Sequence, residues 1–327
     1  MSQNAPKLSD GTTVADLVNV ATREVQMRTL SDPELYELEM EQIFGKTWVF
    51  LGHESEIPNS GDFITRDMGS DSVLVTRDKS GEVHVLLNLC THRGMRVSTL
   101  DAGNTQIHTC IYHGWAFRPN GAFLGAPVEK ETMHGKMMSK EQLGLKKARV
   151  TLYGGLIFAT WNIDGPSFDE FLGDAKWYYD ILFKRTDKGM EVLGPPQRFT
   201  VRANWKAAGE QSAADGYHTL TLHRWLGEVG NYSKKGDGEG GGGDLSPEMY
   251  GVEVSSPHGH ALRCIDLGRK IRRMTGLDPD LLSVDEKLNA LPPAGMTKDM
   301  VEQLKRNLTP EQLKVQTSMP PQVGGIF

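Results

Sequence analysis

Two short runs, each pairing one cysteine with one histidine, constrain this chain more than any other feature of its sequence. Cys90-Thr91-His92 is followed after 17 residues by Cys110-Ile111-Tyr112-His113. Thiolates and imidazoles are the side chains that bind zinc and iron–sulfur clusters in proteins. Two neighbouring turns can bring these four side chains together around one metal centre.

Each run supplies one cysteine and one histidine, and this division helps to distinguish a zinc site from an iron–sulfur cluster. A structural zinc site usually pairs cysteine with cysteine and histidine with histidine, whereas each run here offers one of each. In a Rieske [2Fe–2S] cluster one iron binds two thiolates and the other binds two imidazoles. The sequence therefore favours a cluster held by Cys90, His92, Cys110 and His113, and the third cysteine, Cys264, is predicted to be a buried structural residue.

A second group of metal-ligand residues begins about 100 residues later, at Asp215, His218 and His223. Asp215 and His218 are three positions apart and would share one face of a helix. His218 and His223 lie about 140° apart on a regular helix, so their convergence needs a π-type bulge or a helix that ends before His223. Two histidines and a carboxylate form the facial triad of non-haem Fe(II) oxygenases. A solvated helix face would give the same spacing, but the cluster motif upstream favours a mononuclear iron site.

The pattern of apolar residues divides the chain into three parts. Residues 1–45 are predicted to be helical, with a Ser31/Glu34 capping box. From about residue 48 to about residue 161, short apolar runs and glycine-rich turns predict a small all-β domain. Strands are expected at 48–52, 72–77 and 83–87, an extended segment at 192–201, helices at 168–183, from 205, at 297–307 and at 309–317, and a flexible loop at 236–243.

Composition and charge exclude several classes of protein. The net charge of −6 argues against a nucleic-acid or membrane-surface binder, because both partners are themselves anionic. The longest apolar runs are too short to cross a bilayer, and the N-terminus has no secretory signal pattern. Three cysteines do not form a disulfide framework. A soluble cytoplasmic protein is expected.

From about residue 48 to about residue 223, the sequence resembles the large (α) subunit of Rieske non-haem iron aromatic-ring-hydroxylating dioxygenases, the naphthalene dioxygenase group in particular. The matching segments are 90–94, 101–104, 110–115, 153–158, 172–175 and 204–206. The resemblance implies an α+β protein in which a small all-β Rieske domain, residues 46–164, is inserted into a helix-grip catalytic domain. Residues 1–45 would form the N-terminal helical part of that catalytic domain and residues 165–327 its remainder, incomplete at the C-terminus.

The same resemblance implies cofactors and site residues. A [2Fe–2S] cluster and a mononuclear Fe(II) are expected, with His218 and His223 as iron ligands and Asp215 as the residue that orients a ligand histidine. The third iron ligand, an aspartate in the family, is expected beyond Phe327, which indicates a C-terminally truncated chain. The remaining carboxylates of this region do not match its position; they are Asp266, Asp278, Asp280 and Asp285. Substrate-lining candidates are Gln211, where the family usually has Asn, and Ser212, Gly216 and Thr219.

Partners follow from the family as well. The resemblance implies a head-to-tail α trimer, often capped by three small β subunits, with electrons supplied from NAD(P)H through a reductase and a ferredoxin. Electrons would pass from His113 through Asp215 of the adjacent subunit to His218. The reaction implied is cis-dihydroxylation of an aromatic ring by O₂, with the choice of aromatic substrate left open.

Three alternatives remain at this point. A Rieske monooxygenase of α₃ type would demethylate its substrate and lack the β subunit. A Rieske ferredoxin would only carry electrons. A cluster domain of roughly 100 residues is enough for that function, which needs no second metal site such as the one predicted at His218 and His223. The fragment itself could also be inactive.

Overall fold

The computed structural model describes residues 6–131, 135, 137–213, 215, 218, 221–222, 225, 251–256 and 259–321. The chain forms two compact units, one of residues 1–171 with 191–199 and the other of residues 172–190 with 200–327. Residues 1–45 lie in the first unit, while their assignment to the catalytic domain stays a prediction. None of the helices in the described residues is long and apolar enough to cross a membrane.

The N-terminal segment is less helical than its apolar spacing predicts. Its elements are a 3₁₀ turn Val14–Leu17, β1 (Val18–Asn19), β2 (Glu24–Val25), a 3₁₀ turn Met27–Leu30, α1 (Pro33–Glu39) and a π-helical turn Met40–Phe44. The Asn19 side chain accepts hydrogen bonds from the next amides, which starts a tight turn between β1 and β2 instead of a helix. The helix cap is Asp32 rather than Ser31, because the Asp32 carboxylate accepts from the amides of Glu34 and Leu35. The helical prediction is therefore wrong for residues 18–25, which form a β ribbon, and the Ser31 capping box is wrong, whereas α1 confirms a helix that contains Leu35 and Leu38.

The rest of the first unit is an antiparallel β structure, as predicted. Its strands are β3 (Val49–His53), β4 (Asp62–Met68), β5 (Asp71–Arg77), β6 (Val83–Leu87), β7 (Ala102–Asn104), β8 (His108–Thr109), β9 (Ala116–Phe117), β10 (Phe123–Gly125), β11 (Arg149–Tyr153) and β12 (Leu156–Thr160). They form three sheets with the orders β6-β5-β4-β7, β11-β12-β3 and β10-β9-β8. The three predicted strands are confirmed within one residue at either end as β3, β5 and β6.

The hydrophobic core beside the cysteines joins two of these sheets. Leu74 of β5, Leu86 of β6 and Phe117 of β9 are completely buried and belong to one cluster of apolar side chains. Cys90 and Cys110 belong to the same cluster. Each large side chain buried in this way stabilises the fold by about 1.5–3 kcal/mol. The core therefore fixes the two cysteine-bearing loops against the ends of the sheets.

The later part of the chain is mainly helical. Its elements are α2 (Phe168–Leu172), α3 (Ala175–Phe183), α4 (Trp205–Ala213), β13 (Gly251–Ser255), β14 (Ala261–Ile265), α5 (Gly268–Thr275), a 3₁₀ turn Pro279–Leu281, α6 (Val284–Ala290), α7 (Lys298–Asn307) and α8 (Pro310–Ser318). The core of the second unit includes Ile181, Leu288 and Leu304 from three of these helices.

Several helix predictions can be compared directly with these bounds. The single helix expected over 168–183 is two helices, because Gly173 takes a left-handed φ of +50° between them. The two C-terminal helices are confirmed, and Thr309 caps α8 through the predicted capping box with Gln312. Residues 192–201 form no strand. The glycine-rich segment 236–243 lies outside the described residues.

Candidate metal centres

The first cysteine sits in a tight loop between β6 and β7, which we call loop A (residues 90–95). Its two ends are joined because the Cys90 amide donates to the Met95 carbonyl at 2.8 Å. The Gly94 amide donates back to the Cys90 carbonyl at 2.8 Å, and Gly94 has a φ of +73°. A residue with a Cβ atom is strained in this conformation, so the turn explains the glycine. The Thr91 hydroxyl donates to the Leu143 carbonyl at 2.7 Å and anchors the loop from outside.

The second cysteine sits in an equivalent loop between β8 and β9, loop B (residues 110–115). The Cys110 amide donates to the Trp115 carbonyl at 2.8 Å, and the Gly114 amide donates to the Cys110 carbonyl at 2.9 Å. Gly114 has a φ of +68°. The two loops therefore share one hydrogen-bond pattern, although the histidine is the third residue of loop A and the fourth of loop B. The structure thus brings together the two runs that the sequence singled out.

The four candidate cluster ligands separate into a buried pair and a surface pair. Cys90 and Cys110 are 3% and 2% exposed and belong to one cluster of buried apolar side chains. Burial raises the pKa of the Cys90 thiol, and the neighbouring Cys110 raises it further. The rings of His92 and His113 have their centroids 4.6 Å apart at an angle of 73°, and both histidines are partly exposed. The two thiols thus lie in the core, and the two partly exposed imidazoles lie at its edge.

The spacing of the donor atoms distinguishes a cluster from a single zinc ion. With bonds of about 2.0–2.3 Å, a zinc ion would hold all its ligand atoms within roughly 4.6 Å of one another. Among the described residues, three ligand atoms within 4.8 Å of one another occur at Asp78, Glu82 and His84, and not in loops A and B. Two thiols in one buried cluster and two imidazole rings in contact with each other fit a two-iron cluster with unlike ends.

The second predicted site begins where α4 ends. The Asp215 amide donates to the Glu210 carbonyl at 3.3 Å, five residues back, which is a π-type closure that precedes His218. The bulge predicted between His218 and His223 is not tested, because His223 lies outside the described residues. The Asp215 carboxylate lies 3.2 Å from His218 Nδ1 and accepts from the His218 amide at 3.3 Å. The predicted Asp215–His218 contact is therefore present, but it forms in the turn after Ala213 rather than on a helix face.

The partners of His218 assign its tautomer. A carboxylate only accepts hydrogen bonds, so the tautomer that suits this contact has its proton on Nδ1, the nitrogen 3.2 Å from Asp215. His218 Nε2 lies 3.2 Å from the Gln211 side-chain amide nitrogen, which donates to it. The lone pair that a metal would use therefore lies on Nε2, beside Gln211. An imidazole whose Nδ1–H is held by a carboxylate is the form that commonly binds catalytic metals.

Gln211 is itself held in place by the sheet of the second unit. Arg263 of β14 donates from Nη2 to the Gln211 carbonyl at 2.6 Å and to the Ser212 carbonyl at 3.4 Å. This contact fixes the last turn of α4. Three of the predicted site residues, His223, Gly216 and Thr219, lie outside the described residues, so their place at the site stays a prediction.

Sequence reasoning missed the residues that support the two sites. Trp115 stacks on His92, a Cβ atom at Gly114 would lie 2.7 Å from Pro127, and Arg263 holds α4. Each contact joins residues more than ten positions apart, so no pattern of neighbouring residues in the sequence predicts it. Cys264, in contrast, is buried at 2% exposure as predicted.

Comparison with known proteins agrees with this geometry. A family model described as "Rieske [2Fe-2S] domain" matches residues 47–145, which include both loops. The chain therefore contains a Rieske [2Fe–2S] domain.

Similarity to characterised proteins extends beyond that domain. The chain is 44% identical over 254 residues to the biphenyl 2,3-dioxygenase subunit alpha of Rhodococcus jostii (strain RHA1), covering 78% of this chain and 54% of that protein. It is 43% identical over 198 residues to the N,N-dimethyl phenylurea N-demethylase subunit alpha of Sphingobium sp. (strain YBL2), covering 61% and 43%. The crystal structure of naphthalene 1,2-dioxygenase from Rhodococcus sp. bound to indole superposes with a TM-score of 0.75 at 35% identity, covering 91% of this chain and 61% of that one.

The chain is a homologue of the alpha subunits of Rieske aromatic-ring-hydroxylating dioxygenases, as its motifs predicted. The α+β fold with a Rieske domain is likewise confirmed. The chain spans about half the length of the curated relatives it matches.

Proposed function

We propose that this chain acts in the terminal oxygenase of a multicomponent system that cis-dihydroxylates an aromatic ring with O₂. One observation carries the proposal: the same chain contains two candidate metal sites. The first has two buried cysteines and two histidines in contact, and the second, later in the chain, has His218 next to the carboxylate of Asp215. The proposed domains are a Rieske domain at 46–164 and a catalytic domain of 1–45 and 165–327. The proposed location is the cytoplasm, where the free thiols of the chain would stay reduced.

Loops A and B would hold the [2Fe–2S] cluster, which supplies one electron at a time. Cys90 and Cys110 would bind one iron, and His92 and His113 would bind the other. The buried thiols exclude water from the sulfur end of the site. The partly exposed imidazoles place the nitrogen end where a partner surface can approach. Electron entry and exit are therefore proposed to occur on the histidine side.

Asp215 would prepare His218 to bind the mononuclear Fe(II). By accepting the Nδ1 proton, the carboxylate fixes the imidazole ring and makes Nε2 a stronger donor. His223 is the proposed second ligand and a carboxylate beyond Phe327 the proposed third. Gln211 is the residue placed to line the approach to Nε2, because its amide already contacts that nitrogen.

Assembly is part of the proposal. His113 of one α subunit, Asp215 of the next and His218 form the proposed electron path, in an α trimer accompanied by small β subunits. A ferredoxin and an NAD(P)H-dependent reductase are the proposed donors. A relative from Pseudomonas aeruginosa, 35% identical over 263 residues, is named the large oxygenase component of a naphthalene 1,2-dioxygenase system, which supports a multicomponent system of this kind.

Replacement of Asp215 tests the path. Asp215→Ala in the purified oxygenase is expected to retain both metals and to lose steady-state product formation, because the proposed electron path from His113 to His218 of the next subunit loses its middle residue. Asp299→Asn, an exposed carboxylate of α7, is the matched control and should leave turnover unchanged. Iron content and EPR spectra check the metals, and chromatography of the product checks turnover. Unchanged product formation in Asp215→Ala would contradict the proposal.

A second function is favoured by one comparison. The relative from Sphingobium carries the name of an N-demethylase, so a monooxygenase that demethylates its substrate is the rival reaction. Incubation with biphenyl and with an N-methylated phenylurea separates the two, because the first reaction gives a cis-dihydrodiol and the second releases formaldehyde. A small second subunit that copurifies with the chain supports the dioxygenase form, and an α₃ assembly without one supports the rival.

A further inference from the structure

We infer that Trp115 positions His92 and thereby makes the two histidines of the cluster unequal. The indole of Trp115 and the imidazole of His92 are stacked, with centroids 4.8 Å apart and planes only 6° apart. Trp115 is the last residue of loop B, whereas His92 belongs to loop A. One loop therefore holds a ligand of the other. This inference rests on the proposed ligand set.

The indole can act as a support because it is itself fixed. The Trp115 carbonyl closes loop B by accepting from the Cys110 amide, and the side chain is only 6% exposed. Its ring also packs against Phe123 of β10, with centroids 4.9 Å apart. The core cluster that contains Trp115 and Phe123 also contains the completely buried Phe117. Because Phe123 and the surrounding core hold the indole, the ring of Trp115 keeps one orientation beside His92.

The second histidine has a different neighbour. His113 contacts the ring of Tyr112 at 3.8 Å between centroids and 34° between planes, and Tyr112 is 57% exposed. A half-exposed tyrosine at the surface restrains its neighbour much less than a buried indole. The ring of His92 is therefore the more restrained member of the pair.

Stacking of this kind has a physical consequence for a metal ligand. A parallel aromatic pair contributes stability beyond the area it buries, and this stability is lost when either ring rotates. The Trp115 indole thus resists rotation of His92 about its side-chain bonds. Groups that orient a ligand in this way typically change metal affinity or activity by about 10–100-fold when removed.

Two variants of Trp115 and one control test the inference in the holoprotein. Trp115→Leu removes the stacked ring, and Trp115→Phe keeps a smaller ring that covers less of His92. Trp161→Leu removes an indole from the same unit that packs on the other core cluster. The readouts are the nitrogen couplings of the reduced cluster by pulsed EPR, and the rate of cluster loss to a chelator.

We expect Trp115→Leu to broaden the coupling of one histidine nitrogen, leave the other unchanged, and lose the cluster about 10-fold faster. Trp115→Phe should fall between Leu and wild type, and Trp161→Leu should match wild type. The inference is overturned if Trp115→Phe matches wild type in both readouts, if both nitrogens change equally, or if Trp161→Leu has the same effect. If Trp115→Leu fails to fold, Trp115→Phe decides by the same criteria. A wild-type protein without couplings from two histidines would instead refute the ligand set itself.

Discussion

The two glycines that close loops A and B offer a matched test of the cluster site. Gly94 and Gly114 occupy the same position in their loops and have nearly the same φ, +73° and +68°. Alanine at such a position costs about 1–2 kcal/mol, because its Cβ atom crowds the following carbonyl. This backbone cost should be equal in the two loops.

The surroundings of the two glycines differ. A Cβ atom at Gly94 would meet nothing within 4 Å, whereas at Gly114 it would lie 2.7 Å from Cγ and 3.2 Å from Cδ of Pro127. A proline ring cannot rotate away as a flexible side chain would. Overpacking adds about 1–3 kcal/mol. Gly94→Ala should therefore cost about 1–2 kcal/mol and Gly114→Ala about 2–5 kcal/mol.

Thermal unfolding of the oxidised holoprotein measures the difference, with cluster absorption and tryptophan fluorescence as probes. In a unit of about 180 residues, about 1 kcal/mol corresponds to roughly 2–4 °C, so Gly94→Ala should unfold roughly 2–8 °C below wild type. Gly114→Ala should unfold roughly 2–12 °C below Gly94→Ala, because the clash with Pro127 adds about 1–3 kcal/mol. The double variant Gly114→Ala/Pro127→Ala should regain most of that second loss. Equal losses at the two glycines, or no recovery in the double variant, would refute the reasoning.

Three further outcomes are expected from buried and capping residues. Burial lowers the pKa of His108 to about 4, below its ordinary 6.5, so the stability that comes from keeping this histidine neutral is complete above pH 6.5 and is lost as pH falls towards 4. The free energy of unfolding in urea should therefore fall less between pH 7 and pH 5 for His108→Leu than for wild type. An equal fall in the two proteins would contradict this. Thr309→Ala should cost about 1 kcal/mol in urea unfolding because α8 loses its cap to the Gln312 amide, while Thr309→Ser should cost less. Cys264 is buried and burial raises its pKa, so iodoacetamide at pH 8 should label it only after denaturation, as mass spectrometry of the labelled peptide would show.

The β part of the fold could be predicted because strand patterns are local. Strand β5 is a run of buried residues between turn residues, and its neighbour β6 is separated from it by a short polar turn. The N-terminal segment could not be predicted in the same way. Its apolar spacing is typical of a helix. The Asn19 side chain instead accepts hydrogen bonds from the amides of Ala21 and Thr22, and strands β1 and β2 form in place of the helix.

The candidate ligands were predictable because residue type and spacing carry their chemistry, whereas their supports were not. Cys90 and His92 differ from their neighbours by being good metal donors, and that is visible in the sequence. Trp115 is a large apolar residue among many in a core, and only the fold places it on His92. The same holds for Arg263, whose contact with the end of α4 spans more than 50 positions.

The two sites also differ in the interactions that hold their residues together, and this difference determines how a core substitution affects each site. Loops A and B lie 20 positions apart, so the pairing of their ligands depends on the sheets and on the core around Phe117. The contact between Asp215 and His218 spans three positions and forms within one turn, where little chain entropy opposes it. A substitution in the core should therefore separate the cluster ligands while the Asp215–His218 pair persists. Retention of metal at His218 should depend mainly on its further ligands, because one oriented imidazole supplies a single coordination bond.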